Sequence, residues 1–265
     1  MAIVLLGCTE NFSTLNTNGN EPEAASGALL LPTVIFDLAD LNVNQQFAFG
    51  NTIGQYTANY EFNDIDLFRW TSDGRFWSIY STLQDVADIE QFGITTEDPN
   101  YEAVALILRS YGFSILTDTY GDVPYSQATR AQEGVFNPAY DTQETIYAGL
   151  LADLERAANL IDESATITGD ILYNGNMNSW KRFANSLRLR LLLRSSNVQD
   201  NAAAMSTIVS NPDQFPVFEN NEQHAVYQYS GSLPDLSRYS VGRGRAYDFY
   251  LGIPTTHIID LLTEN

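Results

Sequence analysis

Basic residues are scarce in this chain, and histidine and cysteine scarcer still. Of 265 residues only 13 are Lys or Arg against 33 Asp or Glu, and Lys181 is the single lysine. The resulting formal charge of −20, with a pI near 4.1, repels phosphate backbones and anionic lipid surfaces, so nucleic acid is not an expected partner. Lys181, Arg182, Arg188, Arg190 and Arg194 do cluster, but without the series of interleaved aromatics that stacks bases; they read as a solvated helix face paired with acidic neighbours. His224 and His257 have no Cys or His at metal-ligand spacing, so no metal and no cofactor is expected. Cys8 is the only cysteine, which excludes an internal disulfide and any CxxC site. There is no GxSxG elbow, and the "GRGR" of residues 242–245 lacks the third glycine and the strand-to-helix context of a dinucleotide site. Beyond Cys8 no uninterrupted apolar run approaches the roughly 18 residues of a membrane span, so the rest is expected to be soluble.

Cys8 follows the apolar run "AIVLLG". The "LLGC" this makes resembles the lipobox at which a bacterial signal peptide is cut and the new N-terminal cysteine acylated; the alternative is an ordinary thiol in a frayed start. Residues 1–8 then form a signal remnant. Residues 9–28 are polar, rich in Asn, Thr and Glu, and without an apolar period, as a flexible tether would be. Residues 29–265 are the folded part.

Helical spacing dominates that part. A first helix is expected over 31–49, and a second over 72–91, capped by Ser72 or Asp73 and packing Phe76, Trp77, Tyr80, Leu83 and Ala87. A third begins at Pro99 and is apolar nearly all round, which predicts a central position. Asp141 with Glu144 has the form of a capping box ahead of Ile146, Leu150, Leu154, Ala157 and Ile161. After an Asn-Gly turn, Asn178 or Ser179 is placed to cap a helix carrying Trp180, Phe183, Ala184, Leu187 and Leu191 and ending near Ser195. A short helix over 201–210 and another from Pro254 onward complete the set. The fold class is therefore all-α, with paired helices, irregular loops and a short extended corner.

Chemistry is thinner. Asp118 with Asp122, or Asp64 with Asp66, could form the paired carboxylates of a glycoside hydrolase, which needs two such groups facing each other across a sugar. "NDID" alternates oxygen ligands but lacks the glycine and distal glutamate of a calcium loop. Aromatic faces pack against the C–H faces of sugars, and the rings outside the helical stripes, Trp70, Tyr227, Tyr229, Tyr239 and Tyr247, are the candidate ligand contacts. Trp77, Tyr80, Tyr101, Trp180 and Phe183 are assigned to packing.

The stretch "TDTYGDVPYSQA", residues 117–128, interrupts the helical pattern. Gly121 can take the positive φ that ends a helix, Pro124 pushes Val123 to extended backbone, and Ser126 can cap the next segment. With its preceding leucine this stretch resembles the signature corner of the SusD/RagB outer-membrane lipoproteins. "PNYEAVALILRSYGF" upstream agrees in order and spacing, as do "YDTQETIYAGLLADLERA", "YNGNMNSWKRFANSLRLRLLLR" and, more loosely, "YDFYLGIPTTHIIDLL" downstream. The resemblance implies tetratricopeptide-like helix pairs in a lipid-anchored, cell-surface outer-membrane protein. Such a protein captures a polysaccharide, oligosaccharide or peptide and delivers it, without chemistry, to a SusC-like TonB-dependent barrel. It carries over Cys8 as the acylation site and Tyr120, Gly121, Asp122, Pro124 and Tyr125 as structural, and it transfers no ligand contact. It also implies that the chain is the N-terminal part of a longer domain, with apolar surface exposed on the 180–194 and 254–263 helices. A glycoside hydrolase and a purely structural docking scaffold are the alternatives.

Overall fold

The computed structural model describes residues 26–61, 64–69, 74–240 and 252–264. Its elements run α1 (Gly27–Gln45), a π-helical turn (Gln46–Gly50), α2 (Asn51–Ile53), β1 (Thr57–Asn59), α3 (Ile79–Thr95), α4 (Pro99–Tyr120) and β2 (Val123–Pro124). Next come a 3₁₀ turn (Ala131–Glu133), β3 (Tyr140–Asp141), α5 (Gln143–Leu160), α6 (Met177–Ser195), α7 (Ala202–Ser210), β4 (Gly252–Pro254) and α8 (Thr256–Thr263). Consecutive long helices pack in pairs, α3 on α4, α4 on α5 and α5 on α6, with α1 against α3, in a tetratricopeptide-like all-α arrangement.

The centre of this stack is α4. Asp98 caps it by accepting from Asn100 N–H, Pro99 takes the first helical position, and apolar residues on every side, from Val104 and Leu106 to Ile107 and Leu116, are buried. A helix covered all round needs no amphipathic stripe, which is why its sequence shows none. Its neighbours do show one: Ile146, Leu150, Leu154 and Ala157 on α5, and Trp180, Ala184, Leu187 and Leu191 on α6, are the faces turned inward. Trp180 is fully buried, and its indole N–H donates to Asp170 (2.8 Å), whose carboxylate also accepts from Leu172, Tyr173 and Gly175 N–H. That one carboxylate orders the Asn174-Gly175 turn, whose residues have φ of 53° and 80°.

Several local expectations are corrected. α1 starts at Gly27, a turn ahead of Pro32, because Leu31, Val34, Ile35 and Leu38 bury a face that continues backward. The stretch Gly27–Ile53 is also, by length and composition alone, apolar enough to cross a membrane. Its polar interruptions hid this from a search for unbroken apolar runs, and in the fold its apolar face lies in the core. α3 begins at Ile79, and the expected caps Ser72 and Asp73 lie outside the described residues. The cap of α5 is Thr142, accepting from Thr145 N–H, and not Asp141. The cap of α6 is Asn176, accepting from Ser179 N–H, because the turn ends two residues earlier than expected. Pro254 lies in β4 rather than starting a helix; Thr255 caps α8 by accepting from Ile258 N–H.

The corner after α4 is built as its residues dictate. Gly121 has φ 77°, its N–H returns to Thr117 O (2.8 Å), and Val123–Pro124 pairs antiparallel with Tyr140–Asp141. No helix starts at Ser126; its N–H and hydroxyl donate instead to Asp141 (2.7 and 2.9 Å), as does Tyr125 N–H (3.1 Å). Burial raises the Asp141 pKa, but the donors of Ser126 and Tyr125 outweigh it and leave it below the usual value. Asp122 accepts from Gln143 N–H (2.9 Å), fastening the corner to the start of α5. The Tyr125 ring lies across α5 at Gly149, where an added Cβ would sit 2.5 Å from the tyrosine oxygen. Burial and Asp153 push the Tyr125 hydroxyl up to about 12, so it remains a donor, to Asp153 at 3.1 Å. The corner thus joins α4 to α5: Gly121 ends α4, Asp122 holds the start of α5, Pro124 pairs with Tyr140, Tyr125 lies at Gly149, and Tyr120 Oη accepts from Phe76 N–H (3.2 Å).

Candidate functional site

The candidate ligand contacts lie apart from this joint in the chain, where α1 and its continuation meet the segment 227–239. Phe36, Asp40, Phe47 and Asn51, spaced by four, seven and four, run along one side of the helical stretch. The segment 227–239 is laid over that side. Tyr227 stands edge-on to Phe36 (5.6 Å) and Tyr229 (5.0 Å), and its hydroxyl donates to Asp235 (2.9 Å). The Tyr229 hydroxyl donates to Asp40 (2.9 Å). Burial and Asp235 push the Tyr227 hydroxyl up to about 12, which keeps it a donor. Tyr227 and Tyr229 are half-buried with their hydroxyls bonded to Asp235 and Asp40, so they fasten the segment.

Tyr239 differs. Its hydroxyl accepts from Asn51 Nδ2 (2.8 Å) and its ring meets Phe47 edge-on (5.1 Å), yet 46% of it remains exposed. Nearby, β1 and β4 pair antiparallel in the register Thr57↔Pro254, which brings α8 beside residues 52–68. Tyr56 and His257 lie with parallel rings (7°, 6.3 Å between centroids). His257 borders a hollow of about 350 Å³ lined also by Thr52, Gln55, Asp66, Phe68 and Thr255. Asp66 is held by Asn59 N–H and Nδ2 (3.0 and 2.8 Å). Phe68 has φ 55°, a left-handed conformation unfavourable for a bulky residue, and is 65% exposed. A ring held out to solvent on strained backbone, beside hydroxyls and a fixed carboxylate, has the make-up of a sugar-contacting surface.

Of the five rings singled out from the sequence, Tyr239 is thus the one described with an exposed face, Tyr227 and Tyr229 are fasteners, and Trp70 and Tyr247 lie outside the described residues, as does Cys8. Tyr56, Phe68 and His257 were missed. For Tyr56 and Phe68 the signal was the lack of helical period over 51–68, in a stretch noted only for Asp64 and Asp66; His257 was weighed only as a metal ligand. Trp77, assigned to packing, lies at the surface, stacked between Tyr80 (5.6 Å) and Tyr120 (4.8 Å). Tyr101 and Trp180 are buried as expected, while Tyr80 and Phe183 are half-buried against the core.

The carboxylates considered for catalysis are bound to separate partners. Asp118 accepts from Tyr147 Oη (2.6 Å) and pairs with Arg194 Nε (2.7 Å), Asp122 accepts from Gln143 N–H, and Asp66 holds Asn59. Among the described residues no group of three or more His, Cys, Asp or Glu could hold a metal. Four of the five residues of the basic run are paired with acidic neighbours: Lys181 with Glu163 (2.7 Å), Arg182 with Glu219 (3.6 Å), Arg188 with Glu155 (2.9 Å) and Arg194 with Asp118. On the helix faces expected to be exposed, Ile259 and Leu262 of α8 and Leu193 of α6 are about half or more exposed.

A family model described as starch-binding and associating with the outer membrane, SusD-like, matches residues 19–265. Among solved structures, a SusD homologue from Bacteroides fragilis superposes with a TM-score of 0.75 at 20% identity, over 91% of this chain and 50% of that one. A chitin-binding protein superposes at 0.69 with 26% identity, over 90% and 52%. A chitin-binding SusD homologue from Flavobacterium johnsoniae superposes at 0.59 with 25% identity, over 76% and 46%. The chain spans about half the length of these solved relatives. No curated protein matches it. The family model and two of these three relatives are named for binding, and none of them is named as an enzyme.

Proposed function

The chain belongs to the SusD-like family, and on that premise we propose that it is part of a cell-surface lipoprotein that captures glycan and hands it to a SusC-like TonB-dependent barrel. The observation that carries the reading is the family match over nearly the whole chain, described as starch-binding and associating with the outer membrane. Two relatives whose names include chitin binding support glycan as the ligand class. The hollow at Phe68 and His257 and the exposed ring of Tyr239, which is bonded to Asn51 next to the hollow's Thr52, are where this chain would contribute to capture, with Trp70 and Tyr247 as further contacts. Acylation at Cys8, in "LLGC", would tether the protein through the polar residues 9–28.

The test is affinity of the full-length protein for soluble starch, chitin oligomers and peptides, with and without the Phe68→Ala change. Saturable glycan binding weakened by that change is the expected outcome. No binding to any glycan, together with no co-purifying barrel, would sink the reading. Metabolic labelling with a radioactive fatty acid, lost in Cys8→Ala, is the expected result for the anchor.

A further inference from the structure

We infer that the chain carries a second saccharide pocket, remote from the rings, where the C-terminal ends of α4 and α6 meet the first turn of α5, and that this pocket takes a neutral sugar. The inference rests on the glycan-binding reading above. A cavity of about 670 Å³ lies there, lined by Asp118, Gln143, Glu144, Arg194, Val198 and Gln199 with Tyr147 behind them, and it shares no residue with the hollow beside Phe68.

Its wall is fixed rather than floppy. Tyr147 is buried, and its hydroxyl, pushed up to about 12 by burial and by Asp118, remains a donor to that carboxylate (2.6 Å). The other oxygen of Asp118 holds Arg194 by its Nε (2.7 Å). The guanidinium also meets the Tyr147 hydroxyl, and these two contacts orient the N–H donors of Arg194 in the lining. The Gln143 Nε2 donates to Thr117 O (2.7 Å), so its Oε1 is the atom left as an acceptor. Among the described residues, the side chains of Glu144 and Gln199 have no hydrogen-bond or ion-pair partner.

Oriented donors, carboxylate and amide acceptors, and one amide that is both suit vicinal hydroxyls, each of which donates and accepts. Two carboxylates against one guanidinium give the wall a net negative charge, which disfavours uronic or sulfated sugars. A peptide fits less well, since Val198 is the lone aliphatic side chain of the lining and no strand borders it. Recognition here would run through hydrogen bonds, because the one ring, Tyr147, is turned into the core.

Titration calorimetry of the full-length protein with maltotriose and with chitotriose tests this. Two resolvable binding events are expected for at least one probe. One should be lost in the Glu144→Gln, Gln199→Ala double variant, whose circular dichroism and melting should match the wild type, and the other in Phe68→Ala. A single event abolished by Phe68→Ala, or two events that both survive the double variant, would overturn the second pocket and leave the glycan-binding reading standing. No event with either probe would overturn both. Galacturonic acid trimer abolishing the difference, by binding at this pocket as well as the neutral probes do, would overturn its assignment to neutral sugars.

Discussion

The helical stack and the ring-lined face use the same residue types to opposite ends. In the stack, Tyr101, Tyr125 and Tyr147 are inserted between helices with their hydroxyls given to Thr168, Asp153 and Asp118, and Phe113 is packed edge-on against Tyr125 at 4.9 Å. On the face, Tyr56, Phe68 and Tyr239 leave much of their rings in solvent and are held by a few contacts between segments distant in sequence. Burial in close-packed surroundings fixes a side chain through many small attractions, whereas an exposed ring retains a surface for something else. The difference separates a scaffold, whose aromatic residues carry stability, from a face whose rings add little to it.

The largest effect should therefore come from the stack. Trp180→Ala removes a fully buried ring and leaves Asp170 without its indole donor. A loss of about 3–5 kcal/mol is expected, read as a lower midpoint in urea unfolding. A loss below about 1 kcal/mol would break the division, because it would mean that the stack tolerates a cavity as a surface would.

How much of this was legible in the sequence depends on the range of the interactions. Ile146, Leu150 and Leu154 declared α5 because helical periodicity is local, and Gly121 with Pro124 declared the corner because each restricts its own backbone. Asp141 and Thr142 are both good caps. Which of them caps was decided by the pairing Val123↔Asp141, which turns the Asp141 carboxylate back to Ser126. The face was least legible. Phe68 and His257 share a hollow only because Thr57 pairs with Pro254, about two hundred positions away, and no local pattern records that register.

A smaller effect is expected at the joint. The Asp141 pKa is lowered in the folded state, so its contribution is present above the ordinary aspartate value of about 3.9 and is lost as pH falls through the lowered one. Asp141→Asn should cost about 1 kcal/mol at neutral pH, since the site is only partly withdrawn from water, and should flatten the fall in stability between about pH 4 and pH 2. Thermal melts of both proteins across that range measure it. An unchanged slope would show that Ser126 and Tyr125 do not depend on the charge of this carboxylate.

The smallest effect on stability, and the sharpest test of the comparison, lies at Tyr239. Its ring is nearly half exposed and its hydrogen bond to Asn51 is at the surface, so Tyr239→Ala should change unfolding by no more than about 0.5–1 kcal/mol. Loss of a stacking ring should nevertheless weaken glycan binding by about 0.5–1.5 kcal/mol, roughly a factor of 2 to 13. Tyr239→Phe separates the causes: it keeps the ring over Phe47 and removes the acceptor for Asn51. Binding retained in Phe and lost in Ala, with both melting near the wild type, assigns the ring to the ligand. If Ala instead melts lower by more than about 8 °C while binding at the remaining folded fraction is unchanged, Tyr239 belongs with Tyr227 and Tyr229 as a fastener, and the face begins at Phe68.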